Sequence, residues 1–234
     1  MARPAMPADP DPADDRFDSD GGLRWRPAAG RAEQLMILLS GSDMPAAAWL
    51  PLAQVLRQAF PQAVLMAAAV ESGADVAAAV PIIEDAALAR LQDWVHAAQR
   101  DSGVGPAATA LVGVSVGAML ALELVGREDG IAGRVLAFGG RYARLPEAAP
   151  RFTTIHLFHG ADDAVVPVAF ARAAIERLGA LHGDATIDIA GATGHGLAPV
   201  LVDCALNRLR SHIPHRTWAA ALGGAPPGRI DDDR

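Results

Sequence analysis

Ala110-Leu111-Val112-Gly113-Val114-Ser115-Val116-Gly117-Ala118 decides the reading of this chain. An apolar run of strand type ends at Val114, and a helix-like stretch, residues 118–125, begins directly after the second glycine. A serine on so sharp a strand-to-helix turn projects its hydroxyl outward. Residues two places before and after it must then lack bulk, as Gly113 and Gly117 do. Ser115 is therefore a candidate nucleophile toward a carbonyl. A hydroxyl at its ordinary pKa attacks poorly, so the rest of the chain must supply an imidazole base, a carboxylate to orient it, and donors for the developing oxyanion.

The flanking sequence alternates in the same way. Residues 35–39, 63–69, 108–114, 134–138, 154–158 and 185–189 are short apolar runs of strand type. Between them, residues 46–60, 82–100, 115–125, 167–181 and 197–211 carry apolar residues at helical spacing, and Pro81 suits the first turn of the second helix. Such alternation predicts an α/β fold, a mostly parallel central sheet with helices on both faces. Residues 1–22, rich in Pro and Asp, and residues 223–234, with Gly223-Gly224-Ala225-Pro226-Pro227-Gly228, read as flexible tails around one domain over 23–222.

In a parallel sheet, sites form beyond the carboxyl ends of the strands. Ser115 stands at one such end, and two later ends carry its candidate partners. His195 lies in Gly191-Ala192-Thr193-Gly194-His195-Gly196, whose glycines let the loop swing an imidazole over the sheet edge. The carboxylate comes from His159-Gly160-Ala161-Asp162-Asp163-Ala164, where adjacent residues point in different directions and one of the two acids can reach His195. The oxyanion donors expected are the backbone N–H of Val116 and one from the loop after the first core strand, Ser40-Gly41-Ser42-Asp43, with Ser42 in that place. His159 reads as a structural histidine at a strand end, and His212 and His215 as part of a surface segment. Alternation in a strand puts His156 and His159 on opposite faces, against a shared metal.

Composition excludes several classes. At 234 residues and 51% hydrophobic, the chain can bury a full core. Its net charge is −7, with six Asp against two Arg in residues 1–22, and no basic face suggests nucleic-acid binding. A single cysteine, Cys204, permits no internal disulfide and reads as a small core residue. No run reaches membrane-spanning length and the N-terminus lacks signal-peptide features, so a cytoplasmic protein is expected.

With these residues in place, the chain resembles the phospholipase/carboxylesterase family of small serine esterases, closest to its bacterial esterase branch, from about Leu35 to about Pro227. The similar pieces are Ser102-Gly103-Val104-Gly105, the stretch 110–118 quoted above, Gly139-Gly140-Arg141-Tyr142-Ala143-Arg144-Leu145-Pro146, Thr154-Ile155-His156-Leu157-Phe158-His159-Gly160 and Gly194-His195-Gly196. The resemblance implies a single α/β-hydrolase domain with no large lid. It also implies hydrolysis of carboxylic esters or thioesters through a serine acyl-enzyme, without metal or cofactor. It selects Asp163, three residues after the glycine of His159-Gly160, as the acid. A small-molecule ester is the expected partner of a monomer or homodimer. The alternatives are a catalytically weakened binding protein on the same fold and an acyltransferase. The chain departs from the family at Ser40-Gly41, where His-Gly is usual, and at Val116, where Gln is usual. It departs again in a shortened 70–79 region lacking the Trp-Phe loop that helps shape the acyl pocket.

Overall fold

Residues 35–39 are apolar without a break because the strand that holds them is covered on both faces. Leu35, Ile37 and Leu39 face one core layer; Met36 and Leu38 face the other. The structure, a computed structural model, describes residues 23–27, 30–41, 46–70, 73–79, 81–215 and 217. The tails expected over 1–22 and 223–234 lie outside the described residues.

Among the described residues, seven strands form one sheet: β1 (Leu23–Trp25), β2 (Gln34–Gly41), β3 (Ala63–Val70), β4 (Thr109–Val114), β5 (Arg134–Phe138), β6 (Thr154–Gly160) and β7 (Ala185–Ala190). Their spatial order is β1-β3-β2-β4-β5-β6-β7, and every pairing is parallel except that of β1 with β3. Five α-helices connect them: α1 (Leu50–Ala59), α2 (Asp85–Ser102), α3 (Val116–Arg127), α4 (Ala169–Ala180) and α5 (Pro199–Ser211). Leu52, Leu56, Leu201 and Ala205 of α1 and α5 pack on one face with Met36, Leu38 and Phe138. Leu91, Val95, Leu120, Leu124 and Leu178 of α2, α3 and α4 cover the other with Leu35, Ile37 and Leu111. The fold is an α/β-hydrolase domain, mostly parallel with helices on both faces.

Two expectations are corrected. Strand β1 was not foreseen: it is three residues long and too short to carry a period, and its antiparallel pairing of Trp25 with Leu65 fixes it at the sheet edge. Pro81 does not open a helix. The helix α2 begins at Asp85, after Glu84 in an extended conformation, and Pro81 lies in the approach to it. In residues 46–60, four residues form a 3-10 turn, Ala46–Trp49, before α1 starts at Leu50 with Pro51 in its first turn.

The topology positions the site. From β2 the chain passes through α1 to β3 on one side, then crosses by α2 to β4 on the other. The strand order therefore reverses between β2 and β4, and in open parallel sheets ligands bind beyond the strand ends at such a point. Gly41 and Ser115 stand at those two ends.

Leu111 is fully buried at the middle of the sheet, whereas Ile82 is 76% exposed. Leu111→Ala should cost about 2–5 kcal/mol in urea unfolding. Ile82→Ala, with little apolar area to lose, should stay within about 0.5 kcal/mol of the parent.

Candidate active site

The turn between β4 and α3 is as tight as its sequence demands. Ser115 has φ 55° and ψ −117°, a left-handed conformation that non-glycine residues adopt at a cost of about 1–3 kcal/mol. Its N–H donates to Phe138 O at 2.9 Å, tying the turn to β5. A Cβ on Gly117 would come within 1.9 Å of the Leu39 carbonyl oxygen, and one on Gly113 within 2.4 Å of Gly117 O. Both glycines exist for close backbone approach, which seats the start of α3 directly on the end of β2.

His195 and Asp163 come together across the ends of β6 and β7. Nδ1 of His195 lies 2.8 Å from Oδ2 of Asp163. The other carboxylate oxygen, Oδ1, accepts the N–H groups of Val165 at 2.9 Å and Val166 at 2.8 Å. Burial would push the Asp163 carboxyl up, but the His195 hydrogen bond and the two backbone donors outweigh it and hold its pKa below the ordinary value. An ionised carboxylate only accepts, so Nδ1 of His195 carries the proton and Nε2 is left as the basic nitrogen. Asp162 is exposed, and its N–H donates to Thr193 O at 2.9 Å, bracing the loop that carries His195.

Two residues around this pair carry more than their sequence signal. His159, the buried histidine expected at a strand end, lies within β6 with Nε2 2.7 Å from Val166 O and 3.3 Å from Asp163 Oδ2. Because the carbonyl only accepts, Nε2 of His159 is the donor, and it offers Asp163 Oδ2 a second, longer contact. Gly139, at φ 54°, lies under both partners: a Cβ there would sit 3.1 Å from the His195 ring and 3.4 Å from Asp163 Oδ2. The Gly139-Gly140 pair after an apolar strand was the available signal.

Ser115 and His195 line one cleft of about 520 Å³, with Gly41, Val116, Val165 and the wall segment 73–77. Ser42, expected as an oxyanion donor, lies outside the described residues; Gly41, next to it, borders the cleft beside Val116. The remaining histidines sit elsewhere. Nη1 of Arg134 donates to Nε2 of His156 at 3.0 Å, and Nδ1 of His156 donates to Thr186 Oγ1 at 2.8 Å. Burial first, then the Arg134 charge, push the His156 pKa down to about 3. His212, expected at the surface, instead packs its ring 5.0 Å from that of His156 and places Nε2 3.1 Å from Asp184 Oδ1; His215 is exposed. Cys204 is half-buried against the α1–α5 layer. Among the described residues, no three His, Cys, Asp or Glu side chains are grouped to hold a metal ion, and no helix is long and apolar enough to cross a membrane.

A serine turn at the switch point of a mostly parallel sheet, with a His–Asp pair beyond two later strands, is the architecture of an α/β-hydrolase. The chain belongs to the phospholipase/carboxylesterase family, whose model matches residues 80–213, more than half of its length. It is 46% identical to the esterase YpfH of Escherichia coli K12 over 149 residues, 64% of this chain. That match spans 63% of YpfH, less than two thirds of its length. The crystal structure of esterase PE8 superposes with a TM-score of 0.68 at 27% identity, covering 82% of this chain and 99% of PE8. A carboxylesterase from Mesorhizobium loti shares the fold, with a TM-score of 0.69 at 19% identity over 85% of this chain and 100% of its own.

Adding one methyl group at either of two α3 glycines should separate close approach from helix propensity. Gly117→Ala should cost about 3 kcal/mol or more, because backbone must give way. Gly126→Ala, on an exposed turn of the same helix with nothing within 4 Å, should gain about 0.5–1 kcal/mol. Both are read from urea midpoints.

The depressed Asp163 pKa has a pH consequence. Its stabilisation is fully present above the ordinary value of 3.8 and is lost as pH falls through the lower folded-state value. Wild type should therefore exceed Asp163→Asn in stability at neutral pH, and the gap should close in acid below about pH 4. Unfolding midpoints of both proteins across this range check it.

Proposed function

We propose that this protein is a serine hydrolase that cleaves carboxylic esters, or thioesters, of small or short-chain acyl groups through an acyl-enzyme on Ser115. The observation that carries the reading is the shared cleft. It holds Ser115, in its strained turn, and His195, whose Nδ1 is fixed by Asp163 at 2.8 Å. Family membership and the 46% identity to an esterase support it.

In this mechanism Nε2 of His195 takes the Ser115 proton as Oγ forms a bond to the substrate carbonyl carbon. Asp163 stabilises the imidazolium without itself becoming protonated. The carbonyl electrons move to oxygen, and the oxyanion is held by the Val116 N–H at the start of α3. A second donor comes from the residue after Gly41, Ser42 by position. Collapse breaks the bond to the alcohol oxygen or thiol sulfur, which takes the proton from Nε2. Water, deprotonated by the same nitrogen, then attacks the acyl-enzyme; the acid leaves, and Ser115 recovers its proton. The cleft, walled by short side chains such as Ala74, Val76 and Ala77, suits small acyl groups.

A fluorophosphonate probe should label the wild type and not Ser115→Ala, and Ser115→Ala should lower kcat on a short p-nitrophenyl ester by at least about 10³-fold. Asp163→Ala should lose roughly 10²–10⁴-fold, whereas Asp162→Ala should stay within a few-fold. Absence of labelling, or equal hydrolysis by wild type and Ser115→Ala, overturns the reading. The reverse pattern at the two aspartates overturns the assignment of the acid.

A further inference from the structure

The wall facing Ser115 carries a charge that the chemistry does not use. Asp75 lines the cleft together with Ser115 and His195, and its Oδ1 accepts the Ala77 N–H at 2.9 Å, which fixes the carboxylate in a tight turn of the wall. A second carboxylate stands behind it. Glu84 Oε1 lies so close to Gly73, another lining residue, that a Cβ there would come within 3.2 Å of it.

Among the described residues lining the cleft there is no Arg, and the chain has no Lys. The connections 42–45 and 71–72 contain no basic residue either. A guanidinium bonded to this wall, that of Arg141, is buried and does not line the cleft. Nη1 donates to Ala78 O at 3.2 Å, Nε to Tyr142 O at 3.3 Å, and its face lies 3.5 Å over the Phe170 ring. It ties the wall to the loop after β5, so within the cleft lining Asp75 meets no Arg or Lys. The imidazolium formed at His195 is balanced by Asp163. A cleft lined by one sign of charge, with low-dielectric walls, concentrates ligands of the opposite sign.

Resting on the esterase reading above, we infer that Asp75 selects the substrate class: esters or thioesters carrying a cationic, ammonium-type group are preferred over neutral and anionic ones of the same shape. The apolar neighbours Val76, Val116 and Val165 would receive the hydrocarbon skin of such a group while Asp75 meets its charge.

The test uses the full-length protein and two matched sets of probes. In the first, acetyl thioesters carry a trimethylammonium, a tert-butyl or a sulfonate group on the thiol side; in the second, p-nitrophenyl esters carry the same three groups at the end of the acyl chain. Rates for each are compared as kcat/KM. In at least one set the wild type should rank cation above neutral above anion. Asp75→Asn should shrink the cation-to-anion ratio about three- to tenfold, and Asp75→Arg should invert the order. Raising ionic strength from low salt to 0.5 M should compress the wild-type ratio and leave that of Asp75→Asn nearly unchanged. The neutral ester reports folding and chemistry, and in each protein the rates of the charged probes are read relative to it. Charge ratios that Asp75→Asn leaves unchanged in both sets overturn the selection while the esterase reading stands. Absence of Ser115-dependent hydrolysis of every probe overturns the esterase reading, and this inference falls with it.

Discussion

The contact on which the cleft depends is between two stretches of main chain, the start of α3 and the end of β2. With Gly117 so close to the Leu39 carbonyl that a Cβ there would come within 1.9 Å of its oxygen, there is no room for a side chain between the helix that follows Ser115 and the end of β2. The consequence is geometric. The first turn of α3 opens beside Gly41, on the cleft that Val116 and Gly41 both line. The left-handed φ of Ser115 is unfavourable locally. It is held because the turn is bonded to β5 and because α3, from Ala118 to Val125, is buried almost throughout.

The second centre of constraint is the Asp163 carboxylate. Buried charges are tolerated only when fully hydrogen-bonded. Val165, Val166 and His195 each give Asp163 a donor, and His159 adds a longer contact. Keeping the carboxylate ionised does more than stabilise it. An acceptor-only partner forces the His195 proton onto Nδ1 and turns the basic nitrogen toward the cleft. The bonds of Asp163 to the 165–166 turn and of His159 to Val166 O also hold a lining residue, Val165, in place. Local folding and the protonation state of the base are thus set by the same atoms.

What could be read in the sequence follows from periodicity and chain order. Strands buried on both faces announce themselves as unbroken apolar runs, so β2 through β6 were visible to within a few residues. The serine turn, Asp163 and His195 are conspicuous because each follows such a run. The edge strand β1 has three residues and a charged one at its centre, which no periodic signal can resolve. Pro81 was misread because proline suits both a helix start and an extended approach, and Glu84 and Asp85 decide between them. The proximity of His159 to Asp163 depends on the 160–166 turn folding back, a tertiary fact without a local pattern. The cleft wall at 73–77 is illegible for the same reason: small residues without periodicity show neither a structure nor the direction they face.

The division of labour between the sheet and the wall has a structural cause. Ser115, Asp163 and His195 stand beyond the ends of β4, β6 and β7, where ladder hydrogen bonds and two core layers resist displacement. The wall is a short segment without such pairing, and a bonded tether visible on it is Arg141 through Ala78. A buried guanidinium facing carbonyls and an aromatic ring, with no carboxylate partner among the described residues, keeps its full charge and is a costly way to hold a loop. Carbonyl acceptors satisfy its donors without adding charge. The segment 139–141 therefore touches both halves of the site, with Gly139 beneath His195 and Arg141 beneath the wall, so that base and wall are registered to the end of one strand. The sheet ends and the wall can then vary separately: the first by what the strands end in, the second by what the wall presents to the cleft.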